Sequence, residues 1–209
     1  MIDGCHILRA FVGAEKQLEI LRAVEAVIAE APLVTPVMPD GKPFRCEVTG
    51  AGAGAFYSTR GRGYHYATVH PETGCAWPAV PLEVLRVGAR ALARLDLPAT
   101  AFDSLLVNRY AADLEQSLGL HRDEMEEDLD SPIVLISLGA DCEFWLGGLD
   151  RRDPREIVVL SSGDVLVLSG PSRMLFHGVK AVLPVMFSPL EHGVRLSLSL
   201  RRVFRNSQG

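Results

Sequence analysis

What most limits the fold of this chain is the texture of its second half. From residue 104 onward, short β-prone runs follow one another at close spacing, at 105–110, 133–138, 142–145, 157–160, 165–168, 175–179 and 194–203. Turn signals separate them, among them Gly147-Gly148, Ser162-Gly163-Asp164 and Ser169-Gly170-Pro171. Strands this short and this often interrupted bury their apolar sides by stacking two sheets or closing one, so the pattern predicts a β-sandwich or jelly roll.

The first half has a helical period instead. Leu18, Leu21, Val24, Val27 and Ile28 fall on one face of the segment 15–31, and Leu82, Leu85, Ala89 and Leu92 do the same in 82–95. Two amphipathic helices ahead of a run of strands make an α+β chain. Between them lies "VTGAGAGAFYSTRGRGYHYATVHPETG", rich in Gly, aromatics and Arg, which reads as an exposed functional loop set. There is no internal repeat, and low complexity is confined to the Gly-Ala run at 50–55.

Composition narrows the class. With 209 residues, 48% of them hydrophobic, the chain can bury a sizeable core within one domain. No stretch approaches the ~18 consecutive apolar residues of a membrane span, and "MIDGCHILRAFVG" lacks the basic-then-apolar order of a signal peptide, so a cytoplasmic protein without a membrane partner is expected. The four cysteines, Cys5, Cys46, Cys75 and Cys142, are scattered and form no CxxC pair, which points to neither a disulfide framework nor a zinc ribbon. A formal net charge of −5 gives no global footprint for nucleic acid, so any such contact has to be local.

The chemistry concentrates in "LHRDEMEED". In extended backbone the side chains of His121 and Asp123 point to the same face and can converge on one ion, while Arg122 points away. The pair alone fits a solvated acidic turn equally well. His177, in "SRMLFHGVK", lies several β-runs later, where an antiparallel roll could return it beside the pair, although a core histidine bonded to backbone is the plain alternative. Two His and one carboxylate on one side of an ion leave open positions, the geometry of non-haem iron(II) oxygenases. In "VRLSLSLRRV", Arg195, Ser197, Ser199 and Arg201 alternate with Leu196, Leu198 and Leu200. That polar face suits either the solvated side of an edge strand or a carboxylate-bearing cosubstrate held by guanidinium forks.

Taken in order, "ILRAF", "GYHYATVHPETGCAWPAVP", "LLVNRYAADLEQSLGLHRDE", "SPIVLISLG", "GGLDRRDP", "LSSGDVLVLSGPSRMLFHGV" and "RLSLSLR" cover nearly the whole chain. With "NRY", "HRD", "GGLxRxDP", "GDV" and "SRxxxHG" in that order, the sequence resembles the AlkB-type iron(II) and 2-oxoglutarate dioxygenases, which repair alkylated nucleic-acid bases. The resemblance implies a double-stranded β-helix (jelly-roll) core over about 104–209. Over about 1–103 it implies N-terminal helices and a nucleotide-recognition segment, all in one domain. It also implies His121, Asp123 and His177 as iron ligands, and Asn108, Tyr110, Arg195, Ser197 and Arg201 around 2-oxoglutarate. Within that set, Tyr110 and Arg195 would take the distal carboxylate and Arg201 would lie near the end that chelates iron. Ser197 departs from the Asn common at its position, but a hydroxyl still donates one hydrogen bond.

For the base, the resemblance implies Tyr57 as the stacking ring, Tyr64 and Tyr66 near the nucleotide backbone, and Arg151 at the base pocket. Independently, "FYSTRGRGYHY" interleaves rings with Arg60, Arg62 and His65, which suits a single-strand platform and equally an ordinary loop anchored by its tyrosines. Met125 stands where bacterial members of the family carry an acid, so a thioether packs where a carboxylate would pair. Glu124 or Glu126 could substitute for that acid, although in extended backbone both face away from Met125, and with Glu127 and Asp128 they form either an acidic neighbourhood suited to a cationic methylated base or a plain solvated turn. The implied reaction consumes 2-oxoglutarate and O2 and demethylates bases of the 1-methyladenine or 3-methylcytosine type, releasing succinate, CO2 and formaldehyde. Its partner would be alkylated single-stranded DNA or RNA, or duplex DNA by base flipping, and the chain is expected to act as a monomer. The rivals are an oxygenase of the same scaffold acting on tRNA, a protein or a small metabolite, and a nucleic-acid binder that has lost iron.

Overall fold

The structure is a computed structural model, and it describes residues 3–183, 190 and 193–205. Along the chain run β1 (Cys5–Leu8), α1 (Ala14–Glu30), β2 (Glu47–Gly52), β3 (Ala55–Thr59), β4 (Gly63–Ala67) and α2 (Leu82–Arg94). Then come β5 (Ser104–Ala111), β6 (Leu118–His121), β7 (Ile133–Gly139), β8 (Asp141–Leu146), β9 (Glu156–Leu160), β10 (Val165–Leu168), β11 (His177–Leu183) and β12 (Val194–Arg201). They form a six-stranded antiparallel sheet in the order β1-β10-β7-β12-β5-β2, a four-stranded one in the order β6-β11-β8-β9, and a separate hairpin of β3 and β4. Two facing antiparallel sheets with helices on one side give the expected α+β jelly roll.

Two apolar layers hold it together. One lies between the helices and the outer face of the large sheet, where Ile20, Leu21, Val24, Val84, Val87 and Leu92 meet Leu105, Val107, Ile136, Leu196, Leu198 and Leu200. The other lies between the sheets, with Leu106, Tyr110, Leu135, Phe144, Leu166 and Val179 among its members. β12 is paired on both sides, to β5 and β7, and all eight of its residues are buried. Its leucines serve the helix layer, so Arg195, Ser197, Ser199 and Arg201 face the gap between the sheets. The solvated edge strand is therefore excluded.

The helix faces differ from the sequence expectation. Leu18 and Leu82 are exposed, and Ile20, Val84 and Val87 take the buried positions. In α2 the contact is built on its smallest residue: a Cβ at Gly88 would stand 2.6 Å from the Leu200 side chain. The helix sits down on Gly88 and Ala91, and a face chosen by its largest apolar side chains is rotated away from that contact. Residues 48–74 are not a loop set either, because they supply edge strand β2 and the hairpin.

Several quoted motifs have structural jobs. In "GDV", Asp164 accepts hydrogen bonds from Arg9 Nη1 at 2.6 Å and from the backbone N–H of Ala10 at 2.8 Å and Ser161 at 3.0 Å, tying the first strand's exit to a later turn. In "GGLDRRDP", Asp153 Oδ2 accepts from the Asp150 N–H at 2.9 Å, and a Cβ at Gly148 would stand 2.2 Å from that oxygen. The turn closes tightly there and carries Arg151 on its rim. In "HG", a Cβ at Gly178 would meet the Leu118 carbonyl oxygen at 2.6 Å. Replacing Gly178 by Ala should therefore push β6 off β11 and cost about 1–3 kcal/mol, with weaker divalent-metal binding, because that strand carries His121. Unfolding in urea and titration of the apoprotein with manganese(II) check this, and an Ala variant equal to the wild type in both would show that the close approach is dispensable.

Candidate metal centre and its cavity

His121 ends β6 and His177 opens β11, and the ladder pairs them directly. Their rings lie 4.5 Å apart between centroids, and Asp123 follows two residues after His121 to complete the group. One ligand atom from each of the three falls within 4.8 Å of the others. His121 Nε2 is 3.9 Å from Asp123 Oδ1, and His177 Nε2 is 3.6 Å from Asp123 Oδ2. Each imidazole also has its Nδ1 at a carbonyl, that of Gly119 at 2.9 Å for His121 and that of Leu175 at 3.0 Å for His177. A carbonyl only accepts, so each Nδ1 carries the proton and each Nε2 lone pair faces the shared point. Phe144 stacks on His177 at 5.8 Å and fixes its ring plane. The donor set suits iron(II): three ligands of borderline and hard character on one side, with room opposite.

Electrostatics keep Asp123 and His177 deprotonated. Burial pushes the Asp123 carboxyl up, but the Arg201 guanidinium, then His177, His121 and Arg173, outweigh it and bring it down to about 2. Burial, reinforced by His121, brings the His177 imidazole down from 6.5 to about 4, with Asp123 only partly offsetting the shift. In the unfolded chain His177 takes up its proton near pH 6.5, whereas the folded chain refuses it until about pH 4. The stability this represents is present above pH 6.5 and is lost as pH falls toward 4, on the order of 3 kcal/mol. Urea unfolding of metal-free protein across that range should show the fall, and His177→Gln should flatten it. Equal pH slopes in the two proteins would count against this assignment.

The trio sits in the wall of a cavity of about 600 Å³ lined also by Asn108, Tyr110, Met125, Arg151, Ser197 and Arg201. Asn108 faces Ser197, and Tyr110 faces Arg195, as direct cross-strand partners. The Tyr110 hydroxyl, buried beside the Cys46 thiol, makes no hydrogen bond of normal geometry, and neither does Arg195 Nε. Arg195 Nη2 donates to Ser137 Oγ at 2.9 Å, and no carboxylate pairs with this buried guanidinium among the described residues. Arg195 is not itself on the cavity wall. A phenol and a cation with unused hydrogen-bonding capacity, side by side on adjacent strands, fit the far carboxylate of a dicarboxylic acid. Arg201 Nη2 donates to Asp123 Oδ2 at 2.9 Å, which places it at the metal end.

The mouth differs in part from the sequence expectation. Tyr64 and Phe56 stack at 5.8 Å and 22°, with Phe44 at 6.4 Å from Tyr64, and all three line the cavity. Tyr57 does not line it. In the hairpin register Phe56 opposes Tyr66 and Ser58 opposes Tyr64, whereas Tyr57 opposes His65 and packs edge-on against it on the other face. Side chains alternate along a strand, so a position one residue away from Phe56 looks outward. Tyr66 also lines the cavity, and its hydroxyl is bonded there to Glu126 and Arg201. Arg151 stacks on Phe176 at 5.8 Å, and Arg122, beside the same ring at 5.3 Å, joins it on the cavity wall.

The acidic neighbourhood is also corrected. Glu124 accepts from Arg122 at 2.6 Å, Glu127 accepts from the Arg205 backbone N–H at 3.3 Å, and Asp128 caps the turn at Ser131. Glu126 is not part of a solvated acidic face. Its side chain is fully buried on the cavity wall, between Arg201 and Arg173. Arg173 was missed although it stands in the quoted "SRxxxHG": it donates to the Asp123 carbonyl at 2.7 Å and to the Ser131 carbonyl at 3.0 Å, pinning the loop that carries the metal carboxylate.

Comparison with known proteins agrees with this geometry. The sequence model of the 2OG-Fe(II) oxygenase superfamily matches residues 4–201. The alpha-ketoglutarate-dependent dioxygenase AlkB homolog of Caulobacter vibrioides is 37% identical over 202 residues, 97% of this chain and 89% of that protein. Alpha-ketoglutarate-dependent dioxygenase AlkB of Escherichia coli is 36% identical over 200 residues, 95% and 90% of the two chains. The solved structure of OsALKBH1 superposes with a TM-score of 0.82 at 27% identity, covering 97% of this chain and 99% of that one. No helix among the described residues is long and apolar enough to cross a membrane. With a superfamily match over nearly its whole length and a two-histidine, one-carboxylate centre that takes iron(II), 2-oxoglutarate and O2, this chain belongs to the AlkB-type iron(II)- and 2-oxoglutarate-dependent dioxygenases.

Proposed function

We propose that the enzyme demethylates N-alkylated bases of the 1-methyladenine or 3-methylcytosine type in DNA, with RNA the second strand to test. The observation that supports this most is the cavity itself. It has room for a base, its inner wall holds the metal trio, and its mouth is ringed by Phe44, Phe56 and Tyr64 with Arg122 and Arg151 on the rim. Rings offer a base its stacking faces, and guanidinium groups offer a phosphate its counter-charge. We assign the N-terminal part, to about residue 103, the task of covering the large sheet and supplying the hairpin, and the remainder the metal and cosubstrate site.

When bound, iron(II) with 2-oxoglutarate and O2 supplies the oxidising power that hydroxylates an N-methyl carbon, which leaves as formaldehyde. The residues do the placing. The Nδ1–H bonds of His121 and His177 to backbone carbonyls stop ring rotation, and Arg201 holds one oxygen of Asp123. Asn108, Tyr110, Arg195, Ser197 and Arg201 are assigned to 2-oxoglutarate, with Tyr110 and Arg195 at its distal carboxylate. Leu118, Leu120, Leu135 and Val179 make the wall apolar and limit water. On the base side, Tyr64, Met125 and Arg151 keep the roles that the sequence suggests, and Phe56 takes the stacking role in place of Tyr57.

The deciding experiment is formaldehyde release from single-stranded DNA and RNA oligonucleotides carrying one 1-methyladenine, with iron(II), ascorbate and 2-oxoglutarate. Release from either strand supports the reading, and succinate formation without formaldehyde from both moves the search to another substrate. The exposed hairpin turn carries Arg60 and Arg62. Reversing both charges should weaken strand binding about tenfold and flatten its salt dependence. Fluorescence anisotropy at two salt concentrations reads this, and an unchanged slope would remove the turn from the strand path.

A further inference from the structure

Two residues outside the metal trio are tied to it by a continuous chain of polar contacts. The Tyr66 hydroxyl donates to Glu126 Oε1 at 2.6 Å. Arg201 Nη1 donates to the Tyr66 oxygen at 2.9 Å and stands 3.3 Å from Glu126 Oε1, while its Nη2 donates to Asp123 Oδ2 at 2.9 Å. On the other side, Arg173 Nη2 lies 3.3 Å from Glu126 Oε2, and Nη1 of the same residue holds the Asp123 carbonyl. Glu126 is therefore clamped between the two arginines that fix Asp123, and Tyr66 is its link to β4. A fully buried carboxylate held this way is stiff, because moving any member leaves charges unmatched at low dielectric.

The other end of the chain reaches the cavity mouth. Tyr66 opposes Phe56 in the hairpin and meets its ring edge-on at 6.2 Å, and Phe56 stacks on Tyr64. The hairpin forms a sheet of its own, paired by strand hydrogen bonds to neither larger sheet, and the Tyr66 hydroxyl bonds it to the metal end of the cavity.

We propose that Tyr66 and Glu126 are positioning residues that transmit occupancy of the aromatic mouth to the metal-binding carboxylate. The inference rests on the nucleic-acid reading above. A nucleotide seated on Phe56 and Tyr64 displaces the hairpin, the Tyr66 hydroxyl carries the displacement to Arg201 and Glu126, and Asp123 Oδ2 moves with Arg201. The result is coupling between strand binding and oxygen use. In a coupled turnover, one O2 and one 2-oxoglutarate give one succinate, one CO2 and one formaldehyde from the N-methyl carbon. In an uncoupled one, ascorbate supplies the two electrons that the methyl carbon would have given.

Tyr66→Phe tests this, since it keeps the ring and removes only the hydroxyl, and Glu126→Gln tests the middle of the chain. The reporter is the visible absorption of the cobalt(II)-loaded, 2-oxoglutarate-bound protein, with and without a single strand carrying 1-methyladenine, beside the strand's affinity by anisotropy. Wild-type absorption should change when the strand binds. Both variants should bind the strand without that change, and in the iron enzyme their succinate-to-formaldehyde ratio should rise about fivefold or more. A Tyr66→Phe protein that answers the strand as the wild type does, with an unchanged ratio, overturns the proposal. Strand binding to the wild type with no change in absorption overturns this inference alone, whereas no binding of a methylated strand overturns the base reading and this inference with it.

Discussion

His121→Ala is expected to abolish formaldehyde release from a methylated oligonucleotide, a loss on the order of a thousandfold or more, while the protein stays folded. Removing one of three ligands leaves a histidine and a carboxylate, too few to hold a labile divalent ion in place. The fold should survive because the His121 side chain is a third exposed and its one hydrogen bond is to a nearby carbonyl. Asp123→Ala makes the contrast. It should lose the same activity and also about 3–5 kcal/mol of stability, because it strands the buried Arg201 beside an empty position. Metal titration, turnover and urea unfolding of the two variants side by side separate the ligand from the structural anchor. Formaldehyde release by His121→Ala within about tenfold of wild type would remove this trio from the reaction.

Those two variants differ because the metal group was legible in the sequence and its support was not. His121 and Asp123 are two residues apart, and His177 belongs to a recognisable motif, so their convergence needed only the antiparallel return that the β-runs predict. Arg173 and Glu126 carry no periodic signal. A buried arginine and a buried glutamate look like any surface pair until the loop between β6 and β7, which carries Glu126, is seen folded against Arg173. The β-runs of the second half were readable because a strand buried on both sides of a jelly roll is a near-continuous apolar run, as β7 is but for Ser137. The strands of the first half were hidden by glycine. In β2 a Cβ at Gly50 would meet Ala55 at 2.4 Å and the Leu105 carbonyl at 2.7 Å, so glycine is there for close packing, and its usual meaning as a loop former misleads. That error propagated. Read as a hairpin, "FYSTRGRGYHY" has its phase set by Tyr64 and Tyr66, which puts Phe56 inside and Tyr57 outside.

Arg195→Met is expected to raise the KM for 2-oxoglutarate about 10- to 100-fold, the size of one charge-assisted hydrogen bond to a carboxylate, with metal affinity little changed. The same substitution should make the protein without cosubstrate more stable, by about 1–3 kcal/mol. The reason is a mismatch in the chain itself. Arg195 is 1% exposed, its contacts are the Ser137 hydroxyl and a long bond to the Ala140 carbonyl, and no acid among the described residues balances its charge. Tyr110, opposite it, is buried with an unused hydroxyl. A core that needed only to fold would be better served by an apolar side chain of that volume, and an anion from outside would offset the cost of the buried cation. Wild-type protein should accordingly gain thermal stability when 2-oxoglutarate and manganese(II) are added together, and Arg195→Met should gain little. Melting curves with and without the cosubstrate, read beside its KM, decide the point. A variant that is destabilised when empty, yet binds 2-oxoglutarate normally, would make Arg195 a structural residue and leave Tyr110 without its proposed partner.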